Sequence, residues 1–268
     1  MLFKFSLIFL FSINMCFGLE KLTIGATTVP HAEILNYIKP LLKESGIDLK
    51  IIEFNDYIQP NLALMQGKLD ANFFQHQAYL NDFNKSRNTN LLVLANVHIE
   101  PMGVYYKDNK QLNKFIQTKD NKFLPNNLKV GIPNDVTNEG RALRLLELNN
   151  LIKIKNSVAY PTKKDIIENP YKLDFVELDA AMLPRLMKSN QLNLAVINSN
   201  FAILSGLSPL KDSIFVESVN KNNYVNVVVI RYDEKNNKKL LLLKQIINSD
   251  KTKKFINEKY KGAVLAAF

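Results

Sequence analysis

Cysteine is almost absent: among 268 residues only Cys16 is present, near the N-terminus. A disulfide, a cysteine-ligated zinc site and an internal thiol nucleophile are therefore excluded from the folded body. Histidine is nearly as scarce, with His31, His76 and His98 alone. "HAE" at 31–33 is half of a zinc-deaminase signature, but the Cys-x-x-Cys half is missing, so His31 reads as a helix-start residue. With no H-E-x-x-H, the sequence also argues against a histidine-rich metal site. A G-x-S-x-G elbow and a P-loop are absent, which leaves no recognisable nucleophile or phosphate cradle.

Long apolar runs are missing as well. Phe5–Ile13, which follows Lys4, is too short to anchor in a bilayer and has the length of a signal-peptide core, so residues 1–18 are expected to be an export signal. Two processing routes follow. Cleavage after Gly18 would leave small residues, Cys16 and Gly18, at the positions a signal peptidase reads, and would release a soluble periplasmic chain. Lipidation of Cys16 is the alternative, although Met15 is large for the position before a lipidated cysteine. The formal charge of +10 is carried by dispersed lysines, many in Asn/Lys-rich stretches such as "KDNKQLNK" and "DEKNNKKL". No arginine-rich, aromatic-interleaved stretch concentrates it, which argues against nucleic acid as a partner.

What the chain does have is alternation. "KLTIGAT", "DLKIIEF" and "ANFFQH" read as strands separated by helical patterns; Ile34, Leu35, Ile38, Leu41 and Leu42 form one apolar stripe that stops at Gly46. Asp56 is placed to cap the helix that follows. This βαβαβ opening implies parallel strands with crossover helices. "LLVLANVHIEPMGVYY" reads as one long extended stretch, after which "LKVGIP", "EGRALRLLELN", "KLDFVEL", "AAMLPRLMKS" and "LNLAVINSN" repeat the alternation. The last third, with "YVNVVVIRY" and "KKLLLLKQIIN", is expected to return to the first unit. The fold class is α/β, in two lobes with a cleft between them: 19–107 with 216–268, and 108–215.

Four stretches carry chemistry. In "ANFFQH" a regular strand would turn Phe73 and Gln75 one way and Phe74 and His76 the other, one face for core and one for a site. Tyr57, Phe74, His76 and Tyr105 are expected near strand ends of the first lobe, where aromatic residues either fill core or wall a cavity. In "NEGRALRLLELNN", with Thr137 or Asn138 as cap, Arg141 falls in the first turn on the face of Leu145 and Leu148, while Arg144 sits beside Glu147 on the exposed side. A buried arginine needs an anion, either a ligand carboxylate or phosphate or an internal acid. Asn198 and Asn200 could cap a turn or meet a ligand. Asn226, inside a run of valines, cannot be explained by turn chemistry and needs a partner, because an unpaired buried amide costs about 1–3 kcal/mol.

Taken together, "KLTIGATTVPHAEIL", "DANFFQHQAYL", "PNDVTNEGRALRLLE", "AAMLPRLM", "LAVINSNFA" and "YVNVVVIR" resemble the NlpA family of periplasmic methionine-binding proteins. The resemblance implies a venus-flytrap, periplasmic-binding-protein fold that holds methionine or a close derivative and delivers it to an ABC permease, without a cofactor or a catalytic step, as a monomer. It implies that Tyr57, Phe74 and His76 enclose the side chain, that Arg141 holds the carboxylate, and that Asn198 and Asn226 meet the head group. Met182 and Phe201 depart from the family's frequent Gln and Tyr, so packing behind the site is expected to differ. Rival readings are the same scaffold holding another small ligand, such as a methionine-containing dipeptide, an α/β enzyme, and a surface-exposed adhesion protein.

Overall fold

The computed structural model describes residues 18–107, 112–218 and 224–268. The expected signal core and Cys16 lie outside them. Strands β1 (Glu20–Thr27), β2 (Ile47–Phe54) and β3 (Ala71–His76) are joined by helices α1 (Glu33–Glu44) and α2 (Gln59–Met65). β1 pairs parallel to both other strands, as the alternation predicts. α1 buries Ile34, Leu35, Ile38 and Leu42, with Leu41 half-buried at the rim of the stripe. It ends before Gly46, whose φ of 86° suits a residue without a Cβ. Asp56 Oδ1 accepts from the N–H groups of Ile58 and Gln59 at 2.7 Å each, the expected cap of α2.

Helix α3 (Gln77–Arg87) leads to β4 (Leu92–Ile99), and here the expected single extended stretch divides. β4 belongs to the first sheet, whereas β5 (Gly103–Tyr106) belongs to a second. Pro101, which has no N–H for a ladder, lies in the three-residue passage between them. Tyr105 is consequently a fully buried core residue of the second sheet and not a wall of the first lobe.

The second unit continues through α4 (Asn113–Thr118), β6 (Lys129–Pro133), α5 (Val136–Leu148), the hairpin β7 (Lys153–Ile154) and β8 (Ile166–Glu168), β9 (Asp174–Leu178), α6 (Leu183–Lys188), β10 (Leu194–Ile197), α7 (Ser199–Leu204) and β11 (Ser213–Val216). Its sheet runs β11-β5-β10-β6-β9. The chain then returns with β12 (Val225–Ile230), α8 (Lys238–Ile247), α9 (Asp250–Tyr260) and β13 (Leu265–Ala266) to give a first sheet in the order β13-β4-β12-β3-β1-β2. The result is a two-lobed α/β fold in which the last third completes the first lobe. Two details differ from the expected limits: 103–106 pair in the second sheet, and so does Val216.

Each lobe has its own core. Leu22, Ile24, Phe73, Val228, Leu243 and Ile256 pack under α1, α8 and α9, while Val130, Ile132, Leu143, Leu146 and Val196 fill the second lobe. Apolar surface removed from water at about 25 cal/mol per Å² drives both. The cores meet between the sheets, where Ile203 of the second lobe packs on the first core and Tyr57 of the first lobe joins Phe201, and the polar side chains collect beside these contacts.

Candidate functional site

Between the lobes lies a narrow cavity with about 20 Å³ of room for water-sized molecules. Side chains of the two lobes close directly on one another across it, so a ligand larger than water enters only as the lobes part. All six residues expected to bind ligand line it: Tyr57, Phe74, His76, Arg141, Asn198 and Asn226. They arrive from both sheets, carried by the ends of β3, β10 and β12, by the turn before α2, and by α5.

The aromatic wall does not arise by the expected alternation. Against β12, Gln75 pairs with Val227 and Phe73 with Val228, so Phe74 is an extra residue in a bulge. The bulge lets consecutive side chains, Phe74, Gln75 and His76, all line the cavity. Phe73 turns into the first core, its ring 4.5 Å from that of His31. Gln75 also exchanges amide hydrogen bonds with Asn61 at 2.9 and 2.7 Å, a buried pair that pins α2 to β3. Tyr57 and Phe74 have ring centroids 6.0 Å apart, with Tyr79 edge-on to both. Phe201 stands behind Tyr57 at 5.0 Å, and the half-buried Met182 does not line the cavity.

Several hydrogen bonds cross from one lobe to the other. Tyr57 donates its hydroxyl to Asn200 Oδ1 at 2.7 Å. His76 caps α3 by accepting the Tyr79 N–H on Nδ1, so its Nε2 carries the proton and donates to Asn138 Oδ1 at 3.1 Å. The orientation of Asn138 is fixed in turn, because its Nδ2 donates to both oxygens of Asp135 at 3.0 Å. Asn198 Nδ2 donates to the same Asn138 oxygen at 2.9 Å, which leaves Asn198 Oδ1 buried with no partner among the described residues. Burial holds the His76 imidazole at a pKa of about 3, and the nearby Arg141 adds to the effect. It is neutral at physiological pH.

Helix α5 begins earlier than the sequence indicated. Asp135, rather than Thr137 or Asn138, is its cap, accepting the Asn138 N–H at 3.0 Å. Arg141 is thereby in the second turn. Its face is shared with Leu145, which is buried, but not with Leu148, which is 77% exposed at the helix end. Arg144 is on the outer side and pairs with Glu147 at 2.7 Å, as expected. Arg141 itself is bidentate to Glu217, through Nε at 2.8 Å and Nη2 at 2.5 Å, and Nη2 also donates to the Glu100 carbonyl at 2.6 Å. Tyr224 covers the guanidinium at 4.4 Å. Thus the internal acid foreseen as one possibility is present, and it occupies one edge of the fork. Nη1 makes no hydrogen bond among the described residues, and Arg141 lines the cavity.

Sequence reasoning missed other lining residues. His31 stands in the helical turn that leads into α1, as its sequence position predicts, but it is also fully buried, bonded through Nδ1 to Thr27 Oγ1 at 2.7 Å and through Nε2 to Asn226 Oδ1 at 3.1 Å. Glu100 went unremarked, and "HIE" at 98–100 offered only its alternation as a signal. His98 Nε2 lies 2.7 Å from Glu100 Oε1, with His31 Nε2 3.5 Å away. Two histidines and a glutamate therefore do converge, each presenting a ligating atom within 4.8 Å of the others. The 2.7 Å contact is that of a charge-assisted hydrogen bond. Burial lowers His31 to about 4 and His98 to about 3, while it raises Glu100. Asn138, Ser199, Asn200, Gln75 and Tyr79 complete the lining.

The arrangement can hold a small molecule with one apolar end and one end bearing both hydrogen-bond donors and acceptors. Comparison with known proteins agrees in fold and chain length. The profile of the NlpA lipoprotein family matches residues 22–268. The methionine-binding lipoprotein MetQ of Bacillus subtilis is 38% identical over 92% of this chain and 88% of its own. The D-methionine-binding lipoprotein MetQ of Escherichia coli is 36% identical with the same coverage. Among solved structures, a nutrient binding protein from Burkholderia cenocepacia bound to methionine superimposes with a TM-score of 0.84 at 39% identity, covering 92% of this chain and all of that one. The chain belongs to the NlpA lipoprotein family.

Proposed function

We propose that this protein is the methionine-binding component of an ABC importer, closing on one amino acid between its lobes and delivering it to a membrane permease. The observation that carries the reading is the pairing, inside one cavity, of an aromatic wall with the open edge of the Arg141 fork and the unpartnered Asn198 oxygen. A zwitterion with a polarizable unbranched tail fits all three. Tyr57, Phe74 and His76 would enclose the thioether chain, to which sulfur–aromatic contacts of about 0.3–1.5 kcal/mol each would contribute. Arg141 Nη1 and the Asn226 amide would take the carboxylate, and Asn198 Oδ1 an ammonium proton. The names of the relatives and the methionine-bound neighbour support the same ligand.

The lobes would exchange chain at 100–102 and again after Val216, and ligand bridging both sides would favour the closed form that a permease recognises. Bound ligand would leave chemically unchanged. Relatives named as lipoproteins favour attachment through Cys16 over cleavage after Gly18, and the intact mass of the mature protein separates the two. The decisive experiment for the ligand is calorimetry on stripped protein. Methionine should bind far more tightly than leucine or norleucine, and equal binding of leucine would sink the proposal.

A further inference from the structure

Charge accounting in the cavity leaves one group without a use. Arg141 is neutralised by Glu217, which lies outside the cavity lining, and a bound zwitterion brings one negative and one positive charge. Its carboxylate finds Arg141 Nη1. Its ammonium needs an acceptor, and among the described lining residues Glu100 is the only acid. The geometry points to Glu100 as the anionic partner of the ligand's α-ammonium group, with Asn198 Oδ1 as a second acceptor. This assignment rests on the reading of the cavity as an amino-acid site and names the residue that makes it one.

Four observations bear on it. Glu100 is 5% exposed, and what surface it keeps opens into the cavity. Its carboxylate is aimed rather than loose: His98 Nε2 fixes Oε1 at 2.7 Å, and Oε2 carries no side-chain hydrogen bond among the described residues. His98 Nδ1 has no partner among the described residues, so the tautomer that places its proton on Nε2 is the one that gives that proton a use. Among the described residues no charged side chain bonds the carboxylate. Arg141 bonds the Glu100 backbone carbonyl instead of its side chain, and His31 and His98 are held neutral by burial. Burial raises the Glu100 pKa, with His31, Arg141 and the Asn200 backbone N–H only partly offsetting it. A carboxylate so desolvated is stabilised most by a cation placed against it, and an α-ammonium is the cation the ligand supplies.

The test compares L-methionine with 4-(methylthio)butanoic acid, the same molecule without its amino group, by calorimetry on ligand-stripped protein. The parent should prefer methionine by about a hundredfold or more. In Glu100→Gln, affinity for methionine should fall while that for the des-amino acid stays within about threefold, so the ratio collapses to about tenfold or below. General damage to the site would weaken both ligands together and leave the ratio standing. An unchanged ratio in Glu100→Gln with methionine binding intact overturns the Glu100 assignment alone; absence of methionine binding by the parent overturns the amino-acid reading along with it. Should the variant fail to fold, the parent still decides: equal affinity for the two ligands would show that no group in the cavity selects the ammonium.

Discussion

The two sides of α5 carry the same residue in opposite circumstances. Arg141 is 4% exposed, bidentate to Glu217, covered by Tyr224 and open to the cavity only at Nη1; Arg144 keeps 35% of its side chain exposed and pairs with Glu147 three residues along. A charge that is buried must be matched group by group, since leaving one partner alone costs several kcal/mol. A charge at the surface is matched mostly by water, and its ion pair adds about 0–1 kcal/mol. The buried side is therefore where binding energy can be concentrated, and the outer side is where it cannot.

The largest effect that could break this contrast is Arg141→Ala. Methionine affinity should fall at least about thirtyfold, since stranding a ligand carboxylate in a closed cleft costs about 2–5 kcal/mol and each 1.4 kcal/mol is a factor of ten. Stability should fall as well, by about 3–5 kcal/mol, because the Glu217 carboxylate loses the guanidinium that balances its charge and keeps only neutral donors such as the Met102 N–H. Calorimetry and urea unfolding read the two effects separately, and parent-like binding by a folded variant would remove Arg141 from the site.

Acid should act on the buried side next. His31, His76 and His98 have folded pKa values of about 4, 3 and 3, below their ordinary 6.5. The unfolded chain thus binds more protons than the folded one between pH 6.5 and about 4. Their stabilising contribution is full above pH 6.5 and is lost as the pH falls, at up to about 1.4 kcal/mol per pH unit for each histidine. Glu100 and Glu139, both raised by burial, oppose this and reduce the slope. The urea midpoint should be lower at pH 5 than at pH 7, and an unchanged midpoint would mean that the histidines are not desolvated.

A neutral contact sharpens the comparison further. Tyr57→Phe deletes the hydroxyl that reaches Asn200 across the cleft and keeps the ring. A net hydrogen bond of about 0.5–1.5 kcal/mol predicts a two- to tenfold weaker affinity for methionine with little change in stability. The smallest effect belongs to Arg144→Ala: binding within about twofold of the parent and stability lower by less than about 1 kcal/mol, measured in the same two assays. A large loss of binding there would reverse the assignment of the two sides.

Much of this was legible in the sequence, for physical reasons that stay local. The crossover order of β1, α1, β2, α2 and β3 followed from hydrophobic period, and Asp56 from its spacing to the helix it caps. Phe74, His76, Arg141, Asn198 and Asn226 stood out because polar or aromatic side chains sit where a strand or buried helix face gives them no local use. Other features were hidden. Leu148 has the right period for the buried face, but the helix outruns the core beneath it, so it is exposed. Phe74 belongs to a bulge, and a bulge is set by the partner strand β12, about 150 residues downstream. Pro101 did mark the passage between lobes, yet a continuous apolar run on both sides concealed it.

The sequence by itself determined which side chains needed partners: one buried arginine, a few amides within apolar strands, and histidines too few for a recognisable metal motif. Only the tertiary structure decided who those partners are. Glu217 reaches Arg141 from 76 residues away and Asn226 reaches His31 from 195, and Glu100, just past the end of β4, lines the cavity between the lobes. Periodicity is a property of neighbours along the chain. Charge compensation in a cleft is a property of neighbours in space, brought together here by two crossings between separately packed lobes.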